Sequence, residues 1–426
     1  MKNKLILLFS LLLCFSSINF TFADTGIKGS LVIVGGALRS DNDAVYEKFI
    51  ELAGGPENAK IGIVPAASGS PYKYSQMFFD DMVTRGVQPE NIIILPLAVK
   101  NDKRSEDVDE SEWAVNGNNP EVAELVKDMT GIWFVGGDQT RITEVLLNDD
   151  QSESLVLEEI WKVYRNGAVV GGTSAGAAIM SDVMIAGGDS LGALTHGFAS
   201  EYDDSSLDYQ NQGGLIVDKG LGFFKYGIID QHFDRKARLG RLAVVTQATQ
   251  RVYPLSFGVE ENTAMIFDNV SKEVSVIGTG GVFVVNAGDA TKSTGVSRYE
   301  NIKVSYIEGN DIYNISTNEF AMDDNKYTTI GYEYLATENP DTTGSLSANQ
   351  KLNQFISYGL VDNELRSEIT TYLYGQDGNG FSFAFKNIDD TEGYWGQSGA
   401  ADVYSFENVR MDIEPVKVEI QSVLEE

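Results

Sequence analysis

Short apolar runs alternate with stretches of helical spacing from the first strand-like segment to about residue 286. Residues 30–34, 60–64, 92–95, 131–135 and 168–170 are mostly apolar at consecutive positions. A strand apolar on both faces is a buried strand of a parallel sheet. Val45, Phe49 and Leu52 recur at helical spacing and predict a helix over 43–52. Strands alternating with helices predict an α/β fold, a doubly wound and mostly parallel sheet with crossovers on both faces. Such sheets bind ligands at the C-terminal ends of their strands. Those ends carry Gly35-Gly36, Pro65, Pro96, Gly136-Gly137 and Gly171-Gly172 here.

The pattern changes near Asp289, after which Tyr, Thr, Asn, Asp and Gly dominate. Residues 302–307, 369–374, 381–385 and 416–420 have the composition of short strands. Asp377-Gly378-Asn379-Gly380 is a hairpin turn signal between two of them. The expected organisation is an α/β catalytic domain over 27–288 and a β-rich C-terminal extension over 289–426. Asp- and Asn-rich loops in the extension lack EF-hand spacing and are read as turns.

The first residues have the order of a secretory signal. Lys2 and Lys4 precede an apolar run from Leu5 to Leu13, and Thr21-Phe22-Ala23 offers a small-residue cleavage site. Residues 1–23 are therefore expected to be removed, leaving a mature chain from Asp24 that is secreted or periplasmic. The apolar run is too short for a stable membrane anchor. Cys14 is the only cysteine, so the mature chain has no thiol for a disulfide, a thiolate metal site or nucleophilic attack. Leu13 is too bulky before Cys14 for a good lipoprotein box.

Composition narrows the partners. Apolar residues are 42% of the 426 and charged residues 22%, the profile of a chain with a sizeable core. A formal net charge of −30 excludes nucleic acid as a partner and favours a cationic one.

Gly172-Thr173-Ser174-Ala175-Gly176 follows a buried strand and precedes a helical run from Ala177, the setting of a nucleophile elbow. Ser174 is the candidate nucleophile, and the amide of Ala175 a candidate oxyanion donor. A serine needs a base, and the chain has two histidines. His196 lies in a polar, loop-like stretch. His232 follows an apolar run in Asp230-Gln231-His232-Phe233, at a strand end on the same edge as Ser174 if one parallel sheet carries both. The run 255–259 leads into Glu260-Glu261, and the carboxylate that orients the imidazole is expected at Glu261, with Glu260 in reserve. Gly136-Gly137-Asp138-Gln139 closes another strand. Gly137 is a candidate second oxyanion donor and Gln139 a candidate substrate contact. Arg235, Lys236, Arg238 and Arg241 form a basic run just after His232.

In order, Gly136-Gly137-Asp138-Gln139, Gly172-Thr173-Ser174-Ala175-Gly176, Asp230-Gln231-His232-Phe233 and Glu261-Asn262-Thr263-Ala264 resemble the cyanophycinase group of serine peptidase family S51. The resemblance covers about residues 29–286 and implies a sandwich similar to class I glutamine amidotransferases. It implies hydrolysis of cyanophycin, a poly-aspartate with arginine on each side-chain carboxyl, to β-Asp-Arg dipeptides through an acyl-enzyme. The expected point of attack is the side-chain amide carbon, with the arginine α-amine departing. No metal or cofactor is expected, and the resemblance leaves a homodimer open. By motif, Gln139, Asp230, Gln231, Arg238 and Arg241 are similar to positions lining the family's substrate groove, where arginines clamp carboxylates and an acid holds a guanidinium. Lys236 stands where the family has arginine and forfeits the bidentate fork. A longer segment around 191–214 is expected as a loop that reshapes or covers the groove. Two alternatives stay open: an α-aspartyl dipeptidase of the same family, and a secreted polymer-binding protein without turnover.

Overall fold

The computed structural model describes residues 26–200, 212–295, 297–338, 346, 348, 351–399, 401–419 and 421. The predicted signal segment lies outside them, as do residues 201–211 of the expected loop. In chain order the strands up to residue 286 are β1 (Ser30–Val34), β2 (Ile61–Val64), β3 (Ile92–Ile94), β4 (Gly131–Phe134), β5 (Val169–Thr173), β6 (Val183–Gly187), β7 (Ile216–Lys219), β8 (Ile228–Asp230), β9 (Leu255–Val259), β10 (Thr263–Asp268), β11 (Glu273–Gly278) and β12 (Gly281–Asn286). The remainder supplies β13 (Thr291–Lys292), β14 (Tyr299–Glu308), β15 (Ile312–Asn314), β16 (Glu319–Ala321), β17 (Tyr327–Thr328), β18 (Glu368–Tyr374), β19 (Asn379–Lys386), β20 (Glu392–Ser398) and β21 (Ala401–Lys417). The helices are α1 (Asp43–Leu52), α2 (Pro71–Thr84), α3 (Pro120–Val126), α4 (Gln139–Leu146), α5 (Leu155–Arg165), α6 (Ala175–Ala178), α7 (Ser190–His196), α8 (Leu239–Thr249) and α9 (Leu352–Ile356).

The first sheet has the order β16-β15-β11-β10-β1-β5-β4-β2-β3. Its parallel part, β1-β5-β4-β2-β3, is the predicted sheet, and its strands are buried almost throughout. One face carries Val32, Val34, Ile61, Ile63, Trp133 and Val169 against Phe49 and Phe78 of α1 and α2. Trp133 stacks on Phe78 with centroids 4.4 Å apart and meets Phe49 edge-on at 5.1 Å. That packing is why position 171 has no side chain: a Cβ there would lie 2.7 Å from the indole. The other face carries Leu31, Ile33, Ile132 and Val170 into a core shared with α3 and α5.

His232 and Glu261 do not share that sheet with Ser174. Strands β8 and β9 are parallel neighbours in a second sheet, of order β17-β20-β21-β14-β12-β9-β8. Both sets of strands are equally apolar, so their sequences alone do not separate them. Phe257, Val259, Val282 and Val284 of the second sheet enter the same core as Leu31 and Ile33 of the first. The chain crosses between the sheets at the corner from Val259 to Thr263, leaving β9 and entering β10, which runs antiparallel to β1.

The expected boundary at residue 288 falls inside this second sheet. Strand β12 pairs with β9 on one side and with β14 of the C-terminal region on the other. Phe283 and Val285 of β12 share a core with Tyr306, Phe383 and Phe406. The C-terminal region also supplies β15 and β16, which extend the first sheet beyond β11. It is therefore built into both sheets. The predicted strands at 302–307, 369–374 and 381–385 lie within β14, β18 and β19. Of the predicted strand at 416–420, Val416 and Lys417 form the tail of β21. Gly378 adopts φ +77° in the β18–β19 turn, a left-handed value that glycine permits. Part of the expected 191–214 loop is helix α7, capped by Asp189, whose carboxylate accepts from the Gly192 amide at 2.8 Å. No helix of the described residues is long and apolar enough to cross a membrane.

Candidate active site

Ser174 stands between β5 and α6 with φ 55° and ψ −108°. A β-carbon makes that conformation costly, so the surroundings must impose it. They do so by close approach. A Cβ at Gly172 would lie 2.8 Å from the Gly176 backbone, and one at Gly176 would lie 2.4 Å from the Phe134 carbonyl oxygen. The Ser174 amide donates to the Val34 carbonyl at 3.0 Å, tying the turn to β1. Helix α6 begins at Ala175, earlier than the predicted run at Ala177, and spans four residues.

His232 follows β8, also with positive φ, at 47°. Its amide donates to the Gly35 carbonyl at 2.6 Å. Its ring lies against Gly36, whose missing Cβ would be 2.3 Å from the imidazole. The Gly35-Gly36 pair is thus the bed on which the imidazole rests. Nε2 lies 2.9 Å from the Ser174 Oγ, and Nδ1 lies 2.6 Å from the Glu261 carboxylate. Serine, imidazole and carboxylate form one hydrogen-bonded row across the junction of the two sheets. His196 is exposed at the end of α7 and has no place in this row.

Burial holds the His232 imidazole below its ordinary value, and the positive charges of Arg238 and Lys236 act in the same direction. The hydrogen bond to Glu261 opposes them. That same bond from His232 holds the Glu261 carboxyl below the usual range. Glu260 behaves in the opposite way. Burial, and then the charge of Asp234, push it up to about 7. It faces away from His232 and accepts from the Gly281 amide at 2.7 Å and the Tyr306 hydroxyl at 2.9 Å.

The corner carrying Glu261 is fixed by a residue that motif reading did not single out. Asn262 has φ 52°, a region that asparagine tolerates better than most residues. Its amide donates to the Gly36 carbonyl at 2.8 Å. Its side-chain oxygen accepts from the Arg39 amide and from the Asn42 side chain, both at 3.0 Å. Asn42 also donates to the Asn262 carbonyl at 2.8 Å. The available signal was an asparagine at a tight corner just after the candidate carboxylate.

The expected groove residues divide. Gly136 and Gly137 pass beside the serine: a Cβ at Gly136 would lie 3.3 Å from that of Ser174. Asp138 is fully buried and caps α4, accepting from the Thr140 amide at 3.0 Å. Gln139 is also buried, and its amide nitrogen donates to the Ile185 and Ala186 carbonyls at 3.0 Å each, bracing α4 against β6. Asp230, Arg238 and Arg241 are buried together. Arg241 grips Asp230 with two nitrogens, at 2.7 and 2.5 Å, and donates to the Gly188 carbonyl at 2.6 Å. Arg238 donates to the Gln231 carbonyl and lies 3.4 Å from Asp230. Burial alone would raise the Asp230 carboxyl, but Arg241 and Arg238 bring it below the usual range. The acid expected to hold a substrate guanidinium already holds two of the protein's own, and the arginines expected to clamp carboxylates are committed to it. Gln231 is buried, and its side-chain oxygen has no hydrogen-bond partner among the described residues. Arg235 and Lys236 are exposed at the rim. Among the described residues no group of three or more His, Cys, Asp or Glu is placed to hold a metal ion.

The model of peptidase family S51 matches residues 31–275. The chain belongs to that family. Membership makes it a serine-type peptidase, and its mixed α/β architecture has the parallel-rich sheet described above. Curated relatives carry the name cyanophycinase, among them that of Synechococcus elongatus, which is 26% identical over 308 residues, 70% of this chain and 83% of its own. That of Geminocystis herdmanii is 27% identical over 303 residues, 69% of this chain and 96% of its own. Among solved structures, a peptidase from an acI-B1 Actinobacterium is 21% identical with a TM-score of 0.40, covering 61% of this chain and 91% of its own.

The Asp230 cluster yields a direct prediction for this S51 chain. Asp230→Asn removes the counter-charge that two buried guanidinium groups share and is expected to lower the unfolding free energy by about 3–5 kcal/mol in urea titration. Unchanged stability with only a raised KM would instead make Asp230 a substrate contact.

Proposed function

We propose that this chain hydrolyses cyanophycin to β-Asp-Arg dipeptides through an acyl-enzyme on Ser174. The observation that carries the proposal is the Ser174–His232–Glu261 row, in an S51 chain whose curated relatives are cyanophycinases. His232 Nε2 accepts the Ser174 proton as Oγ attacks the carbonyl, while Glu261 holds Nδ1 and offsets the charge formed on the ring. Amides of Gly137 and Ala175 bind the oxyanion, each worth about 3 kcal/mol in the transition state. Collapse breaks the C–N bond, the imidazolium protonates the departing amine, and water then hydrolyses the ester by the reverse route.

Atom balance corrects the expected point of attack. Cleaving the side-chain amide releases free arginine and leaves poly-aspartate. Release of β-Asp-Arg requires that the backbone amide between aspartates break, so the leaving group is an aspartate α-amine. In this reading Gln231 offers its open oxygen to the substrate, and Lys236 meets a carboxylate as a point charge. Asp230, Arg238, Arg241 and Gln139 hold the walls of the groove. Export after cleavage at Ala23 belongs to the same proposal and is supported by the order of charges and apolar residues in 1–23.

Protein beginning at Asp24, incubated with insoluble cyanophycin, is expected to release β-Asp-Arg by mass spectrometry, while a Ser174→Ala control releases none. Free arginine would place the attack at the side chain. Cleavage of α-aspartyl dipeptides alone would move the chain to the dipeptidase branch.

The base must be neutral to accept the serine proton, and His232 is held below its ordinary value of 6.5. The acid limb of kcat/KM is therefore expected below pH 6.5, with activity rising as pH increases through it. Lys236→Met removes one cause of the lowering and should move the limb upward. A limb above 6.5 would contradict the lowering of His232 by burial and by its basic neighbours.

A further inference from the structure

Glu260 and Glu261 face opposite ways, as adjacent residues leaving a strand do. Glu261 turns to His232, and Glu260 turns into a cavity of about 570 Å³ between the β9–β10 corner and the C-terminal region. Its walls carry Asp234 from the segment after His232, Glu308 at the end of β14 and Asp402 in β21, besides Glu260 and Glu261. The cations that line it, Arg235 and Lys351, are both exposed. Burial pushes Asp234 up to about 6 and Glu308, like Glu260, up to about 7. Lys351 acts on Asp234 and Glu260, and Lys326 on Glu308, but neither cation offsets the effect of burial. Ser357, in the single π-helical turn after α9, also lines the cavity. It is fully buried, and its hydroxyl has no hydrogen-bond partner among the described residues. An unpaired buried hydroxyl is costly and marks a place where a partner belongs.

The cavity lies beyond Glu261, on the opposite side of the imidazole from Ser174, because the serine binds Nε2 and the carboxylate Nδ1. A group seated there belongs to a part of the substrate away from the reacting carbonyl. A guanidinium suits these walls: it is always charged, planar, and has five donors for carboxylates and a hydroxyl oxygen. We propose that the cavity is a second substrate site, which takes the arginine guanidinium of a polymer unit other than the one being cleaved. This inference rests on the cyanophycin reading and assigns the C-terminal region a part in substrate binding.

The test uses Asp402→Lys, which places a cation in the cavity from an exposed strand position, and Glu308→Gln as an uncharged second variant. For native protein and variants, KM is measured on soluble polymer and on the shortest fragment that is cleaved. The ratio of polymer KM to fragment KM is expected to rise about tenfold or more in Asp402→Lys, the scale of one lost charged hydrogen bond. An unchanged ratio in both variants overturns the proposal. Agmatine, a guanidinium without a peptide bond, is titrated calorimetrically into the Ser174→Ala protein with and without Asp402→Lys. Binding that disappears with Asp402→Lys supports the site even if the native protein proves inactive on cyanophycin, an outcome that removes only the functional reading. No agmatine binding to Ser174→Ala overturns the site itself.

Discussion

The structure turns on the corner between β9 and β10. Ser174 is presented by the first sheet, while His232 and Glu261 leave strands of the second. A hydrogen-bonded row drawn from two sheets has correct geometry only if the sheets are locked together where they meet. The lock is made of short backbone contacts. Gly35 and Gly36 receive the amides of His232 and Asn262, and the Asn262 side chain closes onto the loop before α1. Both glycines are packed too closely for any side chain: a Cβ at Gly35 would lie 2.0 Å from the Glu260 carbonyl oxygen. Pre-organisation of this kind sets the nucleophile and base before substrate arrives.

The same corner shows how one element performs two tasks. Because consecutive residues point to opposite sides, Glu261 is drawn down in pKa by the histidine it orients. Glu260, one residue away, is driven up among other buried acids. The C-terminal region closes over Glu260 through Tyr306 and shares strands with both sheets. Its β-rich character reflects this role as wall and sheet extension.

Much of the site was legible in the sequence because its residues sit at strand ends marked by apolar runs. The strands β1, β2, β4 and β5 are consecutive apolar residues, and the glycines around Ser174 announce a turn that only close backbone packing requires. The division into two sheets was not legible, since β8 and β9 are as apolar as β1 and β5 and pairing is a long-range property. Strand β21 is legible only at its tail, because Asp402, Glu407, Asn408 and Arg410 interrupt its earlier apolar positions. The pairing of Asp230 with Arg241 and Arg238 is hidden in the sequence for a related reason. An acid at a strand end resembles a ligand for a cationic substrate. Its partner Arg241 reaches it only because the chain turns back through α8, eleven residues on in sequence.

The central claim is that Ser174 is activated by His232 across the junction of the sheets. Its most direct test is covalent labelling with a fluorophosphonate, followed by peptide mass mapping of native protein and of His232→Ala. The account predicts a single adduct on Ser174 in the native protein, formed at least 100-fold more slowly without the imidazole, since general-base assistance contributes roughly 10²–10⁴ in rate. Labelling at another serine, or equal rates on Ser174 in both proteins, would contradict it.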